Sequence, residues 1–392
     1  MHVISRIFSA SLAVVSAIAL SACAGGALGG TTGGGSSDNT VKVGLLVSQS
    51  GVYASVGRDM QRGFQTFLDQ HGGKLGGKTV NLVTVDEGST PQSGVAGATR
   101  LVRQEQVDAV VGIVASPTAM GSRDIFNSAQ VPVLMGNTGA VALGGAQASD
   151  WIWRASFDNR DPGRALGRRL AADASGGKVF LIASDYAGGH ENLEGFKKTF
   201  PANRIAGELY PPFGTTSDYS SYLAQIRASG AKQVFAFFAG GEAIEFTKQF
   251  AAFGLSKHVR LNGTFLTDGA SLAAEGNAAL GVRSTAVYNW DRDNAVNKAF
   301  VKDYRQKFHA LPSIPSGCMY DVGVILNKAV ASISGRVDRA SINDALRSIG
   351  TVQGARGKLH FDDHRTMVNQ MSLIEAKKTA DGIRNVTVRP LP

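Results

Sequence analysis

The sequence predicts an α/β protein made of two similar, doubly wound halves. Three observations carry this. Short β-branched runs alternate with segments of helical spacing along most of the chain, and the alternation starts afresh near Lys178. The 392 residues are enough for two ordinary domains. The balance of 43% hydrophobic and 18% charged residues suits a packed core and excludes a disordered chain.

The first half opens with Val41–Val47, a strand-like apolar run, and residues 59–70 follow with Met60, Phe64, Phe67 and Leu68 at helical spacing. Residues 79–85 alternate like a strand, 91–104 read as a helix, 108–114 as a strand, 117–129 as a helix and 131–135 as a strand. The second half repeats the theme. Strands are expected at 178–183, 202–210, 232–238 and 259–263, and helices at 191–200, 218–229 and 242–253. A strand-like run over 282–288 comes next, then helical patterns over 294–309, 317–333 and 341–349, and late strands over 358–361 and 371–375. Such βαβα order implies parallel sheets covered by helices on both faces.

Residues 1–22 read as an export signal. Arg6 gives a thin positive start, and Ile7 to Leu20 is apolar but too short to span a bilayer. Leu20-Ser21-Ala22-Cys23 resembles a bacterial lipobox, which implies cleavage before Cys23 and lipid on it; an ordinary secretory cleavage site beside a cysteine is the alternative. Residues 24–40 are a Gly/Ser/Thr tether, too poor in apolar side chains to fold. The other cysteine, Cys318, then has no disulfide partner and reads as a buried, inert thiol. The formal charge of +9 is scattered in pairs such as Arg168-Arg169 and Lys197-Lys198. No basic run is interleaved with aromatics, so the charge points to solvated helix faces with some pull toward an anionic membrane, and not to nucleic acid.

Residues 72–79 match G-x-x-x-x-G-K-T through Gly72, Gly77, Lys78 and Thr79. A phosphate-binding loop of that pattern follows a strand and opens a helix, so that the helix N-terminus meets the phosphates. Here the order is reversed: a helix precedes and a strand follows. The glycines read as a helix cap and a turn. Other enzymatic constellations are equally weak. His360, Asp362, Asp363 and His364 look like a turn after a strand, and neither H-E-x-x-H nor G-x-S-x-G occurs. Asp86 and Glu87 are adjacent and point apart in extended chain, which suits loop polarity or support of a site. No enzyme, cofactor or metal is expected.

Several segments together resemble a known family, the type I periplasmic solute-binding proteins of ABC transporters, in the leucine/isoleucine/valine-binding branch. They are Val43-Gly44-Leu45-Leu46 through Ser50–Gly57, the following helix with Gly63, Val111–Ser116, Asp185-Tyr186, Thr216–Tyr219, Ala239-Gly240-Gly241, Phe300–Tyr304 and Tyr320-Asp321. The resemblance runs from Val41 to about Glu375. It implies two Rossmann-like lobes joined by three crossovers, near 154–157, 286–290 and 354–360. Lobe one is then residues 41–155 plus 288–356, and lobe two 156–287 plus 357–392, with ligand held between them by hinge closure.

In open α/β sheets ligands bind beyond the carboxyl ends of the strands. In lobe one this selects Ser50 and Tyr53 after the first strand, Ala115 and Ser116 after the third, and Asn137 and Thr138 after the fourth. Ser116 either caps the next helix or joins its free amides in holding a carboxylate. Lobe two supplies Asp185, Tyr186, Phe238, Ala239, Gly240 and Phe265. The resemblance implies that a tyrosine near Tyr186 covers the ligand and that an acid in the loop 263–267 meets a ligand ammonium. This chain has no acid there until Asp268, so an ammonium needs Asp185, Glu242 or carbonyls instead. Phe238 and Phe265 suit an aromatic or aliphatic carboxylate, or else pack in the core.

The expected function is that of an extracytoplasmic lipoprotein feeding an ABC importer. It captures a small amino acid or a hydrophobic or aromatic carboxylate and presents its closed form to a membrane permease. It is expected to be a monomer, anchored through Cys23. A sensor that shows its closed form to a membrane receptor is the alternative.

Overall fold

The computed structural model describes residues 39–145 and 148–391. The export signal, Cys23 and nearly all of the tether lie outside the described residues.

The chain first builds a six-stranded sheet: β1 (Thr40–Val47), β2 (Lys74–Leu75), β3 (Lys78–Asp86), β4 (Ala109–Gly112), β5 (Val133–Met135) and β6 (Ile152–Arg154), in the order β2-β3-β1-β4-β5-β6. All pairs are parallel except β2 with β3. From Val43 on, central β1 is apolar because both of its faces are covered, with Val43 and Leu45 fully buried. Between these strands run α1 (Ala54–Gln70), α2 (Pro91–Thr99) and α3 (Ser116–Ala129). The α2 start is fixed by Thr90 and Ser93, which form a capping box ahead of Pro91.

The second sheet has seven strands in the order β15-β14-β11-β10-β9-β7-β8. Its parallel part is β7 (Val179–Ala183), β8 (Ile205–Leu209), β9 (Gln233–Phe237), β10 (Arg260–Thr264) and β11 (Arg283–Ala286). Helices α4 (Arg160–Ala171), α5 (Ala187–Lys197), α6 (Ser220–Ala228), α7 (Gly241–Ala252) and the short α8 (Ala270–Glu275) accompany it. The chain then returns as α9 (Ala295–Phe308), α10 (Ile314–Ala331) and α11 (Arg339–Arg347) and packs against α1 and β6. Helices α1 and α10 approach so closely that a Cβ on Gly63 would stand 2.1 Å from the Ser316 carbonyl oxygen. A hairpin of β12 (Val352–Gly354) and β13 (Gly357–Leu359) precedes the antiparallel edge of the second sheet, β14 (Ser372–Thr379) and β15 (Gly382–Pro390).

The sequence pattern anticipates most of this order and misses some of it. Helix α4 carries Pro162, two glycines and five charged residues, so its buried stripe of Ala165, Leu166 and Leu170 is too thin to stand out. Strands β6 and β12 span three residues each, below the reach of an alternation pattern. The segment after β13 also stays longer with the first sheet than expected. The Arg154 amide donates to Arg365 O at 2.9 Å and the Met367 amide to Arg154 O at 2.8 Å. The chain joins the second sheet only at Ser372.

Residues 72–79 are a helix end followed by a tight hairpin. Gly72, Gly73, Gly76 and Gly77 all have positive φ, and β2 pairs antiparallel with β3 across them. No helix begins there to receive a phosphate. Asp362 accepts the amides of His364 and Thr366 at 2.9 and 2.8 Å, the expected turn. Cys318 is buried on α10, and burial pushes its thiol up to about 11.

The three passages between the sheets are clasped by two arginines. Buried Arg356 donates from Nε to Asp321 Oδ2 at 2.8 Å, from Nη2 to Ala155 O at 2.7 Å and from Nη1 to Ser156 O at 3.2 Å. Arg292 donates to Arg356 O and Val287 O at 3.0 Å each and to Gln370 O at 2.9 Å.

Candidate functional site

The loops after β1, β4, β5 and β6 meet those after β7, β9 and β10 around a narrow cleft with a free volume of about 40 Å³. This is the carboxyl end of both sheets, where open α/β folds hold their ligands. A larger polar groove crosses the amino ends of β9 and β10 at Lys232 and Arg260. It lies at the wrong end of the strands and is more open and more polar than the cleft.

One part of the cleft is built from hydroxyls and amides. Ser116 opens α3, where the first N–H groups have no acceptor within the helix. Its hydroxyl does not cap the helix. It lies 3.1 Å from Thr138 Oγ1 and accepts from Asn159 Nδ2 at 3.1 Å. Asn159 also donates to Glu191 at 2.8 Å, and Ser156 Oγ donates to Thr138 O at 2.6 Å, so the group is fixed from behind. Asn137 Nδ2 donates to Val114 O at 3.1 Å. Glu87 holds the loop before α3 by accepting the Val114 and Ala115 amides at 2.7 and 2.9 Å. Burial pushes its carboxyl up to about 7 against the pull of those two amides.

The walls are aromatic. Phe157, Phe237 and Phe265 line the cleft, with ring centres 5.3 Å apart for Phe157–Phe265 and 6.0 Å for Phe237–Phe265. Phe265 has a φ of 63°, an uncommon conformation for a side chain of this size. Tyr53, from the first sheet's loops, donates to the Tyr186 hydroxyl of the second at 2.9 Å. Phe213 packs on both rings at 5.5 and 4.6 Å. Burial holds both phenols well above their ordinary range, so both keep their protons.

Two acids complete the lining. Asp59 on α1 is 7% exposed, and Asp268 follows β10. Both Asp268 oxygens lie within 3.1 Å of the Ile314 amide at the start of α10. Burial pushes Asp268 up to about 7, with the neighbouring Asp59 charge adding to it and the Ile314 and Gly269 amides opposing.

Of the expected residues, Tyr53, Ser116, Asn137, Thr138, Tyr186, Ala239, Gly240 and Phe265 line this cleft. Four do not. Ser50 and Ala115 line a small adjoining groove, where the Ser50 hydroxyl donates to Asp86 at 3.1 Å. Asp185 is exposed and pairs with His190 at 2.7 Å. Phe238 turns into the core against Tyr219 and Phe246. Strand parity decides the last case. Val234, Ala236 and Phe238 share one face of β9 and its end, so Phe237 takes the other and reaches the cleft. Glu242, the other acid expected to meet an ammonium, is occupied by Ser184 Oγ at 2.6 Å and the Gly214 amide at 2.8 Å. Phe157 and Asn159 carry no sequence signal, because β6 spans three residues and the buried stripe of α4 is thin. Asp59 carries no sequence signal beyond being an acid on the buried side of α1.

Comparison with known proteins agrees with this architecture. The family model described as periplasmic binding protein matches residues 40–382. The "Leu/Ile/Val-binding protein homolog 6" of Brucella melitensis biotype 1 is 30% identical over 353 residues, covering 88% of this chain and 89% of the relative. A solute-binding protein of an ABC transporter from R. palustris, solved with benzoate, superposes with a TM-score of 0.82 at 32% identity, over 90% of this chain and 97% of that one. Another from Rhodopseudomonas palustris BisB5, solved with 3,4-dihydroxybenzoic acid, gives 0.83 at 26% identity over the same shares. With its two α/β sheets meeting at a cleft between their carboxyl ends, the chain belongs to the type I periplasmic binding proteins, the solute-binding components of ABC transporters, and is a binding protein rather than an enzyme.

Proposed function

We propose that this chain captures a small hydrophobic or aromatic carboxylate for an ABC importer, from the outer side of the cytoplasmic membrane, tethered by lipid on Cys23. One observation carries the ligand class. The Ser116 hydroxyl at the start of α3 and the Thr138 hydroxyl beside it share a cleft with three phenyl rings and, among the described residues, no Lys, Arg or His. Helix N-termini and hydroxyls suit a carboxylate, and the rings suit an apolar body. The benzoate-bound and dihydroxybenzoate-bound relatives support this reading. The lobes follow the sheets: residues 40–154 with α9 to α11 on one side, 179–286 with 372–390 on the other. Closure brings Tyr53 and Tyr186 together over the ligand and makes the form that a permease reads.

The test is thermal shift followed by calorimetry with benzoate, cinnamate, phenylalanine, leucine and valine. A ligand at 100 times its Kd adds about 2.7 kcal/mol. A shift with the ammonium-free acids supports the reading, and a shift confined to amino acids overturns the ligand class. Lipid on Cys23 is tested by labelled fatty-acid incorporation, which Cys23→Ala should abolish.

A further inference from the structure

We propose that the polar groove at the amino ends of β9, β10 and β11 is a second binding site, separate from the cleft, for a phosphate ester that carries hydroxyls, either a free polyol phosphate or the headgroup of an anionic phospholipid. The inference does not rest on the carboxylate reading of the cleft.

Strand parity builds the floor of the groove. In the parallel sheet Gln233 stands beside Arg260, and Asn262 beside Arg283. Arg260 and Asn262 are alternate residues of β10, so all of these side chains share one face. Further along β9 the same face carries Phe235, stacked on Phe196 in the core. The face therefore changes from apolar to polar where the groove begins. The groove has a free volume of about 550 Å³, against about 40 Å³ for the cleft.

Its charge is unbalanced. The lining holds five Lys or Arg residues and one acid, Asp173. Asp173 is engaged by Ser175, accepting from the amide at 3.1 Å and from the hydroxyl at 2.6 Å. Arg283 is matched by Glu375 at 2.8 Å. Lys232, Lys257 and Arg260 are exposed and have no acidic partner among the described residues. Cations gathered around one groove repel each other, and an anion seated among them relieves this. A phosphate turns anionic oxygens in several directions, which suits cations standing on separate elements better than a planar carboxylate does.

The buried groups define the rest of the ligand. Asn262 is 1% exposed; its Nδ2 donates to Gln233 Oε1 at 3.2 Å and Val234 O at 3.3 Å, while its Oδ1 has no donor. Arg169 Nε is enclosed as well and has no acceptor. Both residues line the groove. An unmet acceptor and an unmet donor side by side are costly until a ligand supplies their opposites. A phosphate oxygen answers Arg169, and a hydroxyl answers Asn262. Every lining residue belongs to the second sheet or to its helices and turns, so the groove is accessible whether the cleft is open or closed.

Calorimetry on the purified full chain tests this with glycerol 3-phosphate, inorganic phosphate, sulfate and glycerol. Flotation with phosphatidylcholine vesicles, with and without phosphatidylglycerol, tests the lipid source. Glycerol 3-phosphate should bind about three- to tenfold more tightly than inorganic phosphate. Lys232→Gln and Arg260→Gln, both at exposed positions, should each weaken the phosphate ester about three- to tenfold, and together about 10- to 100-fold, with binding at the cleft unchanged. Asn262→Ala should keep the affinity for inorganic phosphate and erase the advantage of the glycerol ester, provided its melting temperature is retained. Binding of the soluble ester that the double variant loses assigns the groove to free polyol phosphates. Binding confined to the phosphatidylglycerol vesicles, and lost in the same variant, assigns it to the headgroup. Neither ester nor vesicle binding, binding untouched in the double variant, or sulfate binding as tightly as the ester overturns the proposal. Capture of polyglutamate without any phosphate ester also overturns it and makes the groove a surface for acidic protein.

Discussion

The hydroxyl of Tyr53 donates to that of Tyr186 at 2.9 Å, so one hydrogen bond joins loops that belong to different sheets. Phe213 packs against both rings in tilted contacts, at 5.5 and 4.6 Å between centres. Tyr53→Phe removes the bond and keeps the ring. Such a bond is worth about 1 kcal/mol, so ligand affinity should fall about three- to tenfold, through faster release. Stopped-flow release of benzoate or 4-hydroxybenzoate checks this; an unchanged release rate means the bond does not hold the closed form.

Ser116→Ala and Thr138→Val each delete one hydroxyl from the mutually bonded pair. Hydrogen bonds to a charged ligand group are worth about 1.5–3 kcal/mol. Each variant should lose about 10- to 100-fold in carboxylate affinity by calorimetry. The double variant should lose less than the sum, because the two hydroxyls are in contact.

Gly240 has a φ of 58°, and a Cβ there would sit 2.1 Å from the Val52 carbonyl oxygen. Gly240→Ala therefore props apart the loops after β1 and β9. Affinity should drop about tenfold or more with little change in the far-ultraviolet dichroism. A variant that binds normally shows that these loops have slack.

Asp321 and Arg356 form an ion pair whose side chains are 0% and 1% exposed. Asp321→Ala strands a buried guanidinium, which costs about 3–5 kcal/mol. Urea unfolding should show the loss, and replacing both residues with apolar ones should restore part of it.

Glu275 ends α8, and burial pushes its carboxyl up to about 9, against the nearby Lys248 charge and Thr247 hydroxyl. Its folded pKa lies above its unfolded one, so the folded state keeps a proton that the unfolded chain releases. That stabilisation is complete below about pH 4.5 and is lost as pH rises toward 9. Glu275→Gln should remove the slope, leaving the variant more stable by about 1–3 kcal/mol at pH 8 and little changed at pH 4.5. Melting temperatures across that range decide it.

The legible parts of this fold are those where one physical pattern dominates. Buried parallel strands such as β1 read as apolar runs, and α1 shows Phe64 and Phe67 on one face because that face meets α10. The reversed order around Gly72–Thr79 was enough to reject a phosphate loop. The cleft was half legible, because strand ends name loops and do not say which way each side chain turns. Phe237 and Phe238 differ by one position in a strand, and only the core decides which is inside. By sequence position Asp268 comes late in its loop, four residues after β10 ends at Thr264. The left-handed turn at Phe265, which sequence does not announce, is followed within three residues by Asp268 lining the cleft.

Arg356 and Arg292 reach carbonyls on all three passages between the sheets. The passages cannot bend one at a time without breaking those bonds. The three passages are thus tied to one another, as hinge pins are held in line by one frame. Under the proposed closure, a charge lost at either arginine would free the three passages to bend separately, so that the door wobbles on its frame rather than merely swings faster.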